Sequence, residues 1–336
     1  MRTTTLGTDG PLTSVQGLGC MGMSDFYAAA APERDRSLAT LARAHDLGVV
    51  HFDTSDMYGS GANEELLGAF FAGSSGRREK TLLATKFGVD RDAAEGERGV
   101  RGDAAYVRAA CDASLKRLGT DVIDLYYMHR RDTTVPIEET VWAMAELVKA
   151  GKVRYLGLSE VTAGEIRAAA AVHPIHAVQA EWSVFARDIE ASVLPAVREV
   201  GAALVAYSPL GRGFLSGKFA GFDDLPDGDF RRNQPRFVGE NGRANAELLA
   251  PLRNIAAAHG ATPAQVALAW VHSRTKADHL PVVPIPGTTN PDRLAENAAA
   301  ADLALTADEI AALEPIAGRV AGDRYAEMTL THNDRA

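Results

Sequence analysis

The stretch HFDTSDMYGSG, residues 51–61, places the carboxylate of Asp53 at the inner end of an apolar run and the phenol of Tyr58 five residues later. Val49, Val50 and Phe52 read as a buried strand leading into it. Burying a lone charge costs roughly several kcal/mol. Asp53 therefore either caps a turn or has a partner of opposite charge. Two other apolar runs end in groups that could serve with it: LLAT ends in Lys86 and LYYM in His129. A carboxylate, a phenol, an ammonium and an imidazole are the groups from which general acid–base sites are made. Each also has a plainer role, as an edge charge, a structural histidine or a packed ring. The functional reading rests on all of them falling at matching strand ends.

The elements that must hold these groups are eight short strand-like runs. They are SVQGL (14–18), GVVHFD (48–53), TLLATK (81–86), VIDLYYM (122–128), VRYLGL (153–158), HAVQA (176–180), AALVAY (202–207) and PVVPI (281–285). Helical patterns lie between most of them. Val107, Cys111, Leu115 and Leu118 recur at helical spacing behind an Asp103 N-cap, and Ile137, Val141, Met144 and Val148 recur before Gly151. Thr262-Pro263 with Gln265, Asn290-Pro291, and Thr306 with Glu309 open further helices. Strand–helix alternation repeated eight times predicts an α/β protein, a closed (β/α)8 TIM barrel, as one domain over 1–336. The Asp9-Gly10 pair predicts an N-terminal β-hairpin. Residues 208–246, rich in Gly, Pro and Arg, predict a long loop after strand seven.

Barrels carry their reacting groups at the C-terminal strand ends. The successive runs supply Cys20 and Met21, Asp53 and Tyr58, Lys86, His129, Ser159 and Glu160, Gln179, Tyr207 and Ser208, then Gly287 and Thr288. The net charge of −9 argues against nucleic acid or an anionic membrane as partner. Two cysteines are too few for a disulfide framework, and no run is long enough to span a bilayer, so the sequence predicts a cytoplasmic protein.

In order and spacing these residues resemble the aldo-keto reductase family. The resemblance runs through GLGCMGMS (17–24), DTSDMYG (53–59), ATKFG (84–88), IDLYYMHR (123–130), GKVRYLGLSE (151–160), AYSPLGRGFLSGKF (206–219) and PIPGTTNPDRLAEN (284–297). GLSE, SPLGRGFL and FRRNQPRF (230–237) are similar to the branch of plant perakine reductases and auxin-induced-type reductases. The resemblance implies NADPH-dependent reduction of a small carbonyl compound by a tetrad of Asp53, Tyr58, Lys86 and His129. A carbonyl that accepts hydride at carbon develops charge on oxygen, which a positioned acid must protonate. Lys86 would favour the Tyr58 phenolate and so make it a better acid, Asp53 would hold Lys86, and His129 would orient the substrate oxygen.

The same match implies the cofactor contacts. Ser159 and Gln179 would hold the carboxamide and Tyr207 would stack on the ring. Ser208, Pro209, Leu210, Gly211, Gly213 and Lys218 would wrap the pyrophosphate. Thr288, Arg293, Glu296 and Asn297 would hold the adenosine end, with Cys20, Met21, Asp53 and Gly287 nearby. Arg293 at a helix start suits a 2′-phosphate. Met21, Phe26, Tyr58, Phe87, Arg130 and Trp182 are the candidates for the substrate pocket. There are two departures from the family pattern. Glu160 follows Ser159 where many members carry Asn, and Gly287 stands where many carry Lys.

Three rival readings are weaker. GLGCMG (17–22) is a literal GxGxxG, but its helix pattern starts only after Pro32 and no acidic strand end follows about 20 residues on, as a Rossmann dehydrogenase requires. A metal-dependent hydrolase lacks HxH and HExxH. Potassium-channel beta subunits share the fold as cofactor-binding regulatory proteins. The closer match to the reductase branch favours an enzyme.

Overall fold

The computed structural model describes residues 1–24, 26–27, 33–90, 99–219 and 225–335. An antiparallel hairpin comes first, β1 (Thr3–Thr5) on β2 (Leu12–Ser14). Its turn forms as expected: Asp9 takes φ 58°, and a side chain on Gly10 would run into the Leu6 carbonyl oxygen.

Eight parallel strands follow: β3 (Leu18–Gly19), β4 (His51–Asp53), β5 (Leu82–Phe87), β8 (Ile123–Met128), β9 (Val153–Ser159), β10 (Ala177–Glu181), β11 (Ala203–Tyr207) and β12 (Val282–Pro284). Two short strands, β6 (Val89–Asp90) and β7 (Gly99–Val100), pair outside this sheet. The edges of the sheet meet through a parallel bridge between Gly19 and Gly287, and Gly17 N–H donates to the Pro284 carbonyl at 2.9 Å. The predicted (β/α)8 barrel is therefore closed. A Cβ on Gly287 would stand 3.0 Å from the Gly19 carbonyl oxygen, so this seam favours glycine.

Helices α1 (Arg34–Asp46), α2 (Ala62–Ala72), α3 (Ala104–Leu118), α4 (Ile137–Lys149), α5 (Ala163–Val172) and α6 (Val193–Glu199) cover the strands in turn. After β11 come α7 (Gly239–Glu247), α8 (Ala250–His259) and α9 (Pro263–Ala277), and after β12 come α10 (Pro291–Ala299) and α11 (Ala307–Leu313). The caps read from sequence are present. Asp103 accepts from Tyr106 N–H, Asn290 caps α10, and Thr262 with Gln265 and Thr306 with Glu309 form capping boxes. The long loop is shorter and more ordered than its composition suggested. 3₁₀ turns occupy Gly211–Ser216, Phe230–Asn233 and Pro235–Phe237, and α7 lies within the predicted span. Residues 220–224 of that span, and Pro32, lie outside the described residues.

Strand parity decides what reaches the site. On β5, Leu82 and Ala84 join the core inside the barrel, while Leu83 and Phe87 join the layer under the helices. Lys86 has the inner parity. On β8, Leu125 and Tyr127 are inside and Tyr126 and Met128 outside, which brings His129 inward. On β4, Phe52 packs outward, so Asp53 projects in.

Candidate active site

At the top of the barrel, Lys86 is fully buried and each of its three N–H groups has an acceptor. Nζ lies 2.5 Å from Asp53 Oδ1, 2.8 Å from the Thr54 carbonyl oxygen and 3.4 Å from the Tyr58 hydroxyl. Asp53 spends its second oxygen on Gln179, whose Nε2 donates at 2.8 Å. The partner demanded by a buried Asp53 is therefore Lys86. Burial works against the ammonium, but Asp53 and Tyr58 outweigh it and hold its pKa above the ordinary value.

Tyr58 departs from the sequence expectation. Burial is the largest influence on it and raises the phenol above its ordinary value, although Lys86 pulls the other way. Tyr58 thus keeps its proton at neutral pH. The ammonium moderates the rise instead of producing a free phenol of lowered pKa. His129 is held well below the ordinary histidine value by burial, then by Arg130 and Lys86, so its ring is neutral. Its Nδ1 lies 3.1 Å from Ser55 Oγ, and its ring meets that of Tyr58 edge-on at 5.9 Å.

These groups open into a cavity of about 820 Å³. Asp53, Tyr58 and His129 line it, and Lys86 lies behind Tyr58. Of the expected cofactor residues, Met21, Ser159, Gln179, Tyr207, Ser208, Pro209, Leu210, Gly213, Lys218, Gly287, Thr288, Arg293, Glu296 and Asn297 line the cavity. Of the expected substrate residues, Met21, Phe26, Tyr58 and Arg130 do. The Phe26 ring meets Tyr58 and Phe230 edge-on, at 6.4 and 5.5 Å. Arg130 donates to the His129 carbonyl oxygen at 2.8 Å and forms no ion pair with a described residue.

Four expected residues are not brought to the cavity. Phe87 packs on Tyr126 beneath the helices. Trp182 packs on Trp270 and donates to Glu190 at 2.9 Å. Cys20 lies in the outer core with its thiol turned to the Leu18 carbonyl oxygen. Phe87, Trp182 and Cys20 all have the outward strand parity. Gly211, at φ 52°, turns the loop and donates its N–H to the Ser208 carbonyl. At the far end, Arg293 is exposed and forms no ion pair with a described residue. Glu296 forms no ion pair with it, and one of its carboxylate oxygens accepts from Thr262 Oγ1 at 2.8 Å.

Sequence reasoning missed the role of Glu160. Fully buried and at φ 52°, it accepts from Tyr207 at 2.8 Å, from both terminal nitrogens of Arg324 at 3.1 Å, and faces His332 Nδ1 at 3.0 Å. Burial alone would raise this carboxyl, but His332 and Arg324 hold it well below the usual range. The C-terminal segment is thereby pinned across the site, and Tyr325 and Leu330 join the lining. Tyr325 OH lies 3.1 Å from Tyr207 OH and accepts from Arg212 at 2.6 Å. Arg212 and Phe230 belong to quoted motifs, but Tyr325 and Leu330 carried no signal. Arg36 on α1, which packs against α10, also lines the cavity.

Residues 17–317 match the aldo/keto reductase family model, and the chain belongs to that family. It is an oxidoreductase of the nicotinamide-dependent kind. Two solved structures are similar to it. A glycerol dehydrogenase from Gluconobacter oxydans is 28% identical, with 95% of each chain covered and a TM-score of 0.83. A thermostable aldo-keto reductase in complex with the inhibitor epalrestat is 28% identical, covering 94% of this chain and 100% of that one, with a TM-score of 0.75. Among the described residues, no helix is long and apolar enough to cross a membrane and no cluster has the makings of a metal site.

Proposed function

We propose that this chain reduces an aldehyde or ketone to the alcohol with NADPH, and that Tyr58 gives the proton. The observation that carries the reading is the placement of one buried ammonium between a carboxylate and a phenol that lines the cavity. A nicotinamide dinucleotide fits the residues present. Ser159 and Gln179 offer polar side chains to the cavity, Gly213 lets a ligand approach the backbone, and Lys218 and Arg293 supply cations toward phosphate. When bound, that cofactor supplies the hydride.

The protein's own part is positioning and proton transfer. His129, neutral and fixed through its Nδ1, directs Nε2 at the substrate oxygen. Tyr58 releases its proton to that oxygen as charge develops, and Lys86 stabilises the phenolate left behind. Asp53 keeps Lys86 charged in a site where an unpaired ammonium would lose its proton. Aromatic walls from Phe26, Tyr58, Phe230 and Tyr325, with Arg130 beside His129, suit an apolar or anionic carbonyl compound. Arg293 and Arg36, which both line the cavity, support reading a 2′-phosphate despite the glycine at 287. The resemblance to the perakine-reductase-like branch rests on the motifs FRRNQPRF and GLSE, in which Arg231 pairs with Asp229 at 2.7 Å and Glu160 with Arg324 at 3.1 Å. Both cysteines are buried and unpaired, which suits the cytoplasm. An NADPH-consumption screen over aldehydes and ketones tests the proposal. Carbonyl-dependent oxidation of NADPH supports it, and none across the panel overturns it.

A further inference from the structure

Ser55 and Asp56 stand between Asp53 and Tyr58 in the chain, and the mechanism above gives neither a part beyond anchoring His129. Ser55 is fully buried. Its Oγ lies 3.1 Å from His129 Nδ1, 3.2 Å from Asp56 Oδ1 and 3.4 Å from the Lys86 carbonyl oxygen, and it accepts from Met57 N–H at 3.3 Å. One hydroxyl proton cannot serve three acceptors. A choice between the imidazole and the carboxylate is built into the geometry.

We propose that Asp56 is a positioning residue that, through the Ser55 hydroxyl, decides which ring nitrogen of His129 carries the proton. The inference rests on the reductase reading. An ionised Asp56 draws the Ser55 proton to itself. Ser55 Oγ then accepts from His129 Nδ1–H, and the bare Nε2 faces the cavity as an acceptor suited to an alcohol. A protonated Asp56 donates to Ser55 Oγ, Ser55 donates to Nδ1, and Nε2–H faces the cavity as a donor suited to a carbonyl. The same proton count on the ring thus serves opposite directions of one reaction.

The surroundings place this choice in a useful range. Burial, then the Glu64 carboxylate, push the Asp56 carboxyl up to about 7, against the pull of Arg117, Ser55 and Met57. Glu64 on α2 and Arg117 on α3 are themselves paired at 2.7 Å, and the Tyr126 hydroxyl of β8 also feels Asp56. His129 titrates well below this range and Tyr58 above it. His332 sits in the separate Glu160 cluster, so a substitution of Asp56 tells the two apart.

Nitrogen-15 NMR of the His129 ring in the full chain reads the tautomer directly, with the resonances assigned by their loss in His129→Gln. The ring proton is expected on Nε2 at low pH and on Nδ1 at high pH, with a midpoint near 7. Asp56→Asn and Ser55→Ala should each abolish the transition across about pH 5 to 8. In parallel, kcat/KM for benzaldehyde should fall about tenfold over the two pH units centred on that midpoint, and Asp56→Asn should flatten the fall. No tautomer transition in the native protein, or the same midpoint in Asp56→Asn, overturns the proposal even where benzaldehyde is reduced. A tautomer transition that Asp56→Asn removes, in a protein that reduces no carbonyl, upholds the relay and overturns the reductase reading instead.

Discussion

Two buried ion pairs frame the site, and they are built differently. Lys86 and Asp53 are 33 residues apart, on neighbouring strands of one sheet. Arg324 and Glu160 are 164 residues apart, and Arg324 arrives on a C-terminal segment outside the barrel. In the first centre the sheet register alone brings the charges together. In the second, the carboxylate must capture a tail. The first reaches the cavity through Tyr58. The second holds the ring of Tyr207 and the wall made by Tyr325 and Leu330. The strands thus hold one ion pair and a docked tail supplies the other together with part of the cavity wall, so the two centres should fail differently when broken.

The largest effect is expected at the first centre. Lys86→Met should leave almost no turnover, and Asp53→Asn should be impaired and less stable, by roughly 3–5 kcal/mol, because either change leaves a buried charge without its partner. Denaturant melts alongside activity check this. If both variants keep native stability and turnover, the pair is not a buried catalytic unit.

Glu160→Gln should be milder, by about 1.5–3 kcal/mol, since Arg324 retains Asp188 at 3.4 Å and Glu181 at 3.8 Å. Its mark should be a raised KM with kcat better preserved, because the tail shapes the wall and not the proton path. A loss confined to kcat would erase the distinction between the two centres.

A third change lies outside both. Arg293→Ala should weaken NADPH by roughly ten- to hundredfold and NADH far less, the worth of a charged contact to phosphate. Titrating both nucleotides by fluorescence checks it, and equal losses would place phosphate recognition elsewhere.

The smallest effect is a pH dependence of the tail. His332 is raised above the ordinary histidine value of 6.5, since hydrogen bonds to Asp188 and Glu160 outweigh the opposing burial. Its contribution is therefore full below pH 6.5 and lost as pH rises through the folded-state value. Protease sensitivity of the C-terminal segment should rise over that window in the native protein, and His332→Gln should remove the change.

The difference between the centres also explains what could be read from the sequence. Asp53, Lys86 and His129 each end an apolar run, so their convergence followed from strand–helix alternation and the rule that barrels react at strand ends. The outward packing of Phe87, Trp182 and Cys20 was legible too. Each has the opposite parity to an inward-facing residue, Lys86, Gln179 and Met21 in turn, so the two-residue period of a strand already turns them away from the barrel interior. In the fold all three pack in the outer core and do not line the cavity. Glu160 was visible at its strand end, but its partners Arg324 and His332, and Tyr325 beside them, were beyond reach, because no local pattern says where a tail docks. The Tyr58 phenol shows a further limit. Its neighbour Lys86 was foreseen, but only the folded burial shows that desolvation outweighs it.

Tyr58→Phe tests the central claim most directly, because it removes one hydroxyl and keeps the ring that lines the cavity. Carbonyl-dependent NADPH oxidation should fall by about 10²–10⁴-fold, the usual worth of a general acid, while cofactor affinity stays close to native. Turnover near the native rate, with cofactor bound normally, would contradict Tyr58 as the proton donor and with it the role given to Lys86 and Asp53.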